Sequence, residues 1–182
     1  MNIFYLSNEP SDCARQHCDK HVVKMILESA QLLSNAHHML DGDQVIKPIY
    51  RLTHKNHPSA VWVRSSYTHY KWLWKLLYEL CKEYTHRYGK VHKVERDGLI
   101  VVLEDPPRNI PANPWLSDPT PAMPDEYKVS DVVQSYRNYY KGAKASFARW
   151  TNRPTPTWFN GLSIFVILSG RISYQQATHS HR

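Results

Sequence analysis

QHCDKHVVKMILESAQLLSN, residues 16–35, is the stretch from which the rest of the chain can be read. Val22, Val23, Met25, Ile26, Leu27, Ala30, Leu32, Leu33 and then Ala36 cover most of a helix circumference, and a helix apolar almost all round is normally buried. One polar line survives: His17, His21, Lys24, Glu28, Gln31 and Asn35, at steps of 4, 3, 4, 3 and 4. Those steps hold all six on one side of a 3.6-residue helix. The plain reading is a solvent-facing stripe, and the sharper one is a polar cleft or a partner. Composition favours the cleft, because imidazoles, an ammonium and a carboxylate exchange protons near neutral pH when neighbours shift them.

Working outward, Ile3–Leu6 is expected to be a short strand or extended arm, followed by a turn at Glu9–Asp12 with Ser11 as N-cap of a first helix ending near His37 or His38. HKNHP, His54 to Pro58, reads as a loop entering a second helix over about 59–88, with Pro58 in its first turn and Gly89 as its C-cap. Trp62, Ser66, Tyr70, Leu73, Leu77, Leu80 and Tyr84 form the core stripe of that helix. Arg64, Thr68, Lys71, Lys75, Glu79 and Lys82 form the opposite line. Gly98–Leu103 is expected as a short strand. Seven of the 12 prolines fall between Pro106 and Pro124, which excludes regular helix or central strand and leaves a wrapping loop or a lid. A third helix spans about Ser130 to Trp150, with Val133, Tyr136, Tyr140, Ala143, Phe147 and Trp150 inward and Arg137, Lys141 and Lys144 as a basic line.

The chain has 182 residues, 42% hydrophobic and 12% aromatic, enough for one domain with a real core. The expected fold is mostly α: a compact single domain of about three main helices, short extended segments and a proline-rich loop. Residues 1–159 form that helical, nucleic-acid-directed domain, and 160–182 form a C-terminal extension. Cys13, Cys18 and Cys81 are odd in number and no secretory leader is evident, which suggests a reducing, cytoplasmic setting. No apolar run approaches the ~20 residues of a membrane span, so no membrane partner is expected.

The net charge of +7 is uneven. Residues 1–50 sum to −2, residues 51–96 to +7 and residues 97–182 to +2. The basic block also holds eight aromatics, a composition that points to a polyanion, DNA or a nucleotide. The residues expected to meet it are His17, His54, Lys55, His57, Arg64, Lys71, Lys75, Arg87, Lys90, His92, Lys93, Arg137, Lys141 and Arg153. No P-loop, dinucleotide glycine motif or zinc knuckle is present. Cys13, His17, Cys18 and His21 crowd one helix start and cannot close a tetrahedron from it, so neither a metal nor another cofactor is expected.

The blocks CDKHVVKMILESAQLL, HKNHPSAVW, EYTHRYGKVHK, AMPDEYK, YRNYYKGAKASFARW and RPTPTW resemble a family of small phage-encoded proteins over about residues 1–159. More weakly, the layout resembles the pyrimidine-dimer DNA glycosylases of the phage endonuclease V type. The shared features are an extended arm leading into a long helix, a second helix with an arginine-glycine-like turn, and a late basic aromatic segment. That resemblance implies a metal-free helical domain that flips nucleotides. It attacks the sugar with its N-terminal amine through a Schiff base and uses a glutamate on the first helix. Carried over, the amine is that of Met1, since bulky Asn2 disfavours methionine removal. The carboxylate is Glu28, about one turn later than the pattern asks. Lys24 stands nearer the expected place and is a second candidate amine, and His21 would assist proton transfer. The alternatives are an enzyme acting on a nucleotide or modified base in the same cleft, and a non-catalytic phage nucleic-acid or nucleotide binder.

Overall fold

The computed structural model describes residues 1–45 and 48–160. The expected C-terminal extension beyond residue 160 lies outside the described residues. The fold is mostly helical, and among the described residues there is no strand. The helices are α1 (Pro10–Gln16), α2 (Asp19–Asp41), α3 (Pro58–Arg64), α4 (Tyr67–Tyr88), α5 (Lys93–Arg96), α6 (Leu99–Val102), α7 (Val132–Tyr139) and α8 (Thr157–Asn160). A π-turn over Tyr140–Lys144 extends α7.

The first long helix is broken where one continuous helix was expected. α1 is entered through Glu9, with Ser11 inside its first turn, and ends at Gln16. His17 and Cys18 are extended (ψ 137 and 162), and α2 restarts at Asp19. The break is held from far along the chain. Asp19 N–H donates to the Arg149 carbonyl at 2.8 Å, the Asp19 carboxylate accepts from Thr151, and Trp150 Nε1 donates to the Gln16 carbonyl at 3.0 Å. The second expected helix is broken as well. Ser66, in extended conformation, accepts from Thr68 N–H and starts α4, so α3 and α4 share the core stripe between them. Trp62, Tyr70, Leu73, Leu77 and Leu80 are buried in it.

Gly98–Leu103 is helical, not a strand, because Gly98 adopts a left-handed φ of 77° that opens α6. The third helix unwinds after Tyr139, and Gly142 lies against the Tyr127 ring, where any Cβ would collide. Of its expected inward residues, Tyr136, Tyr140 and Trp150 are buried but Ala143 is exposed.

The arm Ile3–Leu6 is irregular rather than a strand and is buried in the core, packed among α2, α4 and α7. Phe4 takes a left-handed φ of 49° there, a strained conformation for an aromatic residue. Its ring lies 4.1 Å from that of His21 and 5.5 Å from that of Tyr140, so burial offsets the backbone cost. The proline-rich segment is a structural wrap. Pro111 and Asn113 carbonyls accept from Tyr67 N–H and from the Ser66 and Thr68 hydroxyls. The Ser117 carbonyl takes Trp62 Nε1, and the Ala122 carbonyl takes the Asn2 side-chain amide. This loop therefore runs along α3 and α4 to the start of the arm.

Candidate active site

The polar line of α2 does not face open water. His21 and Glu28 are buried beneath the N-terminal arm, Asn35 is buried beneath the loop ahead of α3, and only Lys24 is well exposed, its side chain at 67%. Glu28 is the centre of the arrangement. Its Oε2 accepts the main-chain N–H of Asn2 at 2.8 Å, and its Oε1 lies 3.3 Å from Lys24 Nζ. Asn2 is fixed on its other side, its Oδ1 accepting from Tyr136 Oη at 2.8 Å and its Nδ2 donating to Ala122 O. The chain start is thereby pinned over one carboxylate by contacts from α7 and the wrap.

The loop ahead of α3 packs along the same helix. Asn35 and Thr53 form a reciprocal pair, Thr53 N–H donating to Asn35 Oδ1 at 3.0 Å and Asn35 Nδ2 donating to Thr53 O. His38 Nε2 meets Tyr50 O at 2.8 Å. These bonds fasten residues 50–53 to the C-terminal half of α2, just ahead of His54 and His57. His57 caps α3 by accepting from Ser59 N–H. Its pKa is lowered by partial burial and then by the positive charges of the N-terminus and His54, with Glu28 pulling the other way. His57 thus feels the charges of the terminal amine, His54 and Glu28 together, a grouping that spacing along α2 gave no means to foresee.

Other expected site residues are placed elsewhere. His21 lies two turns, about 10 Å along the axis, from Glu28. Its Nδ1 is engaged by Tyr140 Oη at 2.5 Å, and desolvation followed by the charges of His17, Lys144 and Lys24 lowers its pKa to about 3. His17 is fully buried at the helix break, bonded to Cys13 O at 2.7 Å, its pKa lowered to about 4 by desolvation. Both imidazoles are buried and bonded within the fold. Arg87 is a correction to the phosphate patch, because its guanidinium is wholly buried among Glu83, Asp19 and the Arg15 carbonyl. Arg153 makes a two-pronged contact with Glu83, and Arg137 reaches the Leu6 carbonyl and Gln16 and lies over Trp158. All three guanidiniums hold the fold together.

Arg64 donates to the Lys55 carbonyl at 2.6 Å and so shapes the loop that carries His54, while Lys55 itself is exposed. His92 caps α5 and Lys93 pairs with Asp97 at 2.8 Å. Lys71 donates to Glu104 O and sits over the Trp74 ring. Lys75 and Lys90 point to water and Lys141 is half-buried. Among the described residues no group of His, Cys, Asp and Glu is arranged to hold a metal, and no helix is long and apolar enough to cross a membrane.

A family model described as pyrimidine dimer DNA glycosylase matches residues 1–96, just over half of the 182. The chain belongs to the pyrimidine dimer DNA glycosylase family. The match takes in the arm and α1 to α5, and therefore Glu28, Lys24, His54 and His57. Membership brings DNA as the partner and base excision as the activity at the level of the family. The wrap, α7 and the π-turn, which pin Asn2 and bury His21, lie beyond the matched residues. No curated protein and no solved structure matches the chain.

Proposed function

We propose that this glycosylase-family domain excises a damaged base from duplex DNA with the α-amine of its own chain start as nucleophile and Glu28 as the acid-base group. The observation that supports this reading is the 2.8 Å contact between the Asn2 nitrogen and Glu28. It ties the start of the chain to the one carboxylate on α2 that is buried beside it. In the proposed reaction the amine bonds to C1′ of the damaged nucleotide as the glycosidic C–N bond breaks and the base departs. The sugar ring then opens to an iminium. Glu28 removes a C2′ proton, the 3′ phosphate leaves, and water releases the opened sugar and regenerates the amine. Extruding the nucleotide costs a few kcal/mol, least where the base is already damaged.

Lys24 is the weaker nucleophile candidate. Its side chain is 67% exposed, whereas a Schiff-base lysine relies on desolvation or crowding cations for its reactivity. In this reading Lys24 holds one Glu28 oxygen and meets a phosphate. With Met1 retained, the reacting nitrogen is one peptide beyond the Glu28-bound position. With Met1 removed, it is the Asn2 nitrogen itself.

The test is borohydride trapping on ultraviolet-damaged and abasic duplex, followed by mass analysis of the adducted peptide. An adduct on the N-terminal peptide is expected, and its mass tells Met1 from Asn2. An adduct on the peptide holding Lys24, or none with no nicking, would overturn the assignment.

A further inference from the structure

The water-facing stripe of α2 shares only Lys24 with the line that carries Glu28. It is Lys20, Val23, Lys24 and Leu27, four exposed positions over about two turns, with Val23 at 41% and Leu27 at 40% exposure. A third lysine joins them from another element. Lys144 of the π-turn lies over the Tyr139 ring at 4.3 Å, and Lys20 lies over the Phe147 ring at 4.8 Å. Phe147 and Phe4 both pack on His21, and Phe4 stacks with Tyr139, so the two ammoniums stand around one aromatic floor. Among the described residues neither Lys20 nor Lys144 forms an ion pair.

The basic line of α4 is differently situated. Tyr70, Leu73, Leu77 and Leu80 turn inward, which puts Lys75 and Lys82 on the far side of α4 from that core. Lys82 is also paired with Glu79 at 3.2 Å. Lys24 keeps Glu28 as its partner at 3.3 Å, whereas Lys20 and Lys144 have no carboxylate to neutralise them, a cost that a phosphate backbone relieves. Two aliphatic side chains between them suit the apolar faces of deoxyriboses.

We propose that duplex DNA is gripped along this α2 ridge. Lys20, Lys24 and Lys144 take backbone phosphates beside the site, and Val23 and Leu27 lie against the intervening sugars. The inference rests on the DNA-directed reading above and adds where the duplex runs.

The experiment measures binding to an abasic duplex over a salt series for wild type, K20Q, K144Q, K20Q/K144Q and the α4 control K75Q/K82Q. Thermal midpoints are followed alongside. The slope of log affinity against log salt is expected to fall by about 1 for each ridge lysine removed, with K20R/K144R restoring it and the α4 pair leaving it nearly unchanged. An unchanged slope in folded K20Q/K144Q, or a full loss in the α4 pair, overturns the ridge while wild-type trapping leaves the excision reading standing. A wild type that neither binds duplex with salt dependence nor traps overturns both.

Discussion

Asn2 and Glu28 are 26 residues apart in sequence and 2.8 Å apart in space, the main-chain nitrogen of one resting on the carboxylate of the other. Glu28 also keeps company with Lys24 at 3.3 Å and sits only 8% exposed. Replacing it by glutamine preserves shape and one acceptor oxygen while removing the charge. E28Q is expected to lower single-turnover strand cleavage by about 10²-fold or more, the usual scale of a lost acid-base group. Affinity for duplex should change little. Rates and binding measured separately check this.

The chain start is the second lever. Adding Gly-Ser ahead of Met1 moves the amine away from Glu28 and should abolish the borohydride adduct, whereas K24Q should retain it. The opposite pattern would make Lys24 the nucleophile. Gel-resolved trapping of the two variants decides the matter.

Glu83 is a structural counterpart of Glu28. It is buried between Arg87 and Arg153, and Arg87 continues to Asp19. Burial alone would raise its pKa, but the hydrogen bonds and charges of Arg153 and Arg87 hold it below the usual carboxylate value. Removing one partner from a buried ionic network typically costs about 3–5 kcal/mol. For a domain of this size E83Q should lower the thermal midpoint by roughly 10 °C. A depressed carboxylate stabilises the fold above its unfolded pKa and loses that contribution as pH falls through the folded value. The gap between wild type and E83Q should therefore narrow below about pH 4.5.

His17 and His21 set a second acid limit, through desolvation that lowers them to about 4 and about 3. Between those values and the ordinary 6.5 the unfolded chain binds protons that the folded one does not, so stability falls as pH drops through this window. Each histidine adds about a tenfold loss in the folding constant per pH unit there. H21F is expected to flatten the acid limb of a chemical-denaturation series between about pH 6 and pH 3, at the expense of the bond to Tyr140.

Much of the helical content was legible because Tyr70, Leu73, Leu77 and Leu80 recur at a period that only a helix puts on one face. The breaks at His17–Cys18 and Ser65–Ser66 were not. The first is dictated by Arg149 and Thr151 reaching Asp19, and local pattern carries no trace of contacts across 130 residues. Glu28 stood out as the one glutamate on the long helix, but its companions His54 and His57 depend on the Asn35–Thr53 pair, which spacing cannot reveal. Arg87 and Arg153 looked like phosphate ligands because composition counts charges without showing which are consumed by Glu83. Lys20 was passed over, and Lys144 was read only as part of a basic line on the third helix, because their shared aromatic floor exists only once the π-turn folds against α2.

The pinning of the chain start also has a consequence for biosynthesis. Asn2 is held by Ala122 and Tyr136, and the Leu6 carbonyl by Arg137. Residues 2–6 therefore cannot settle into these places until residues 122–137 have been made.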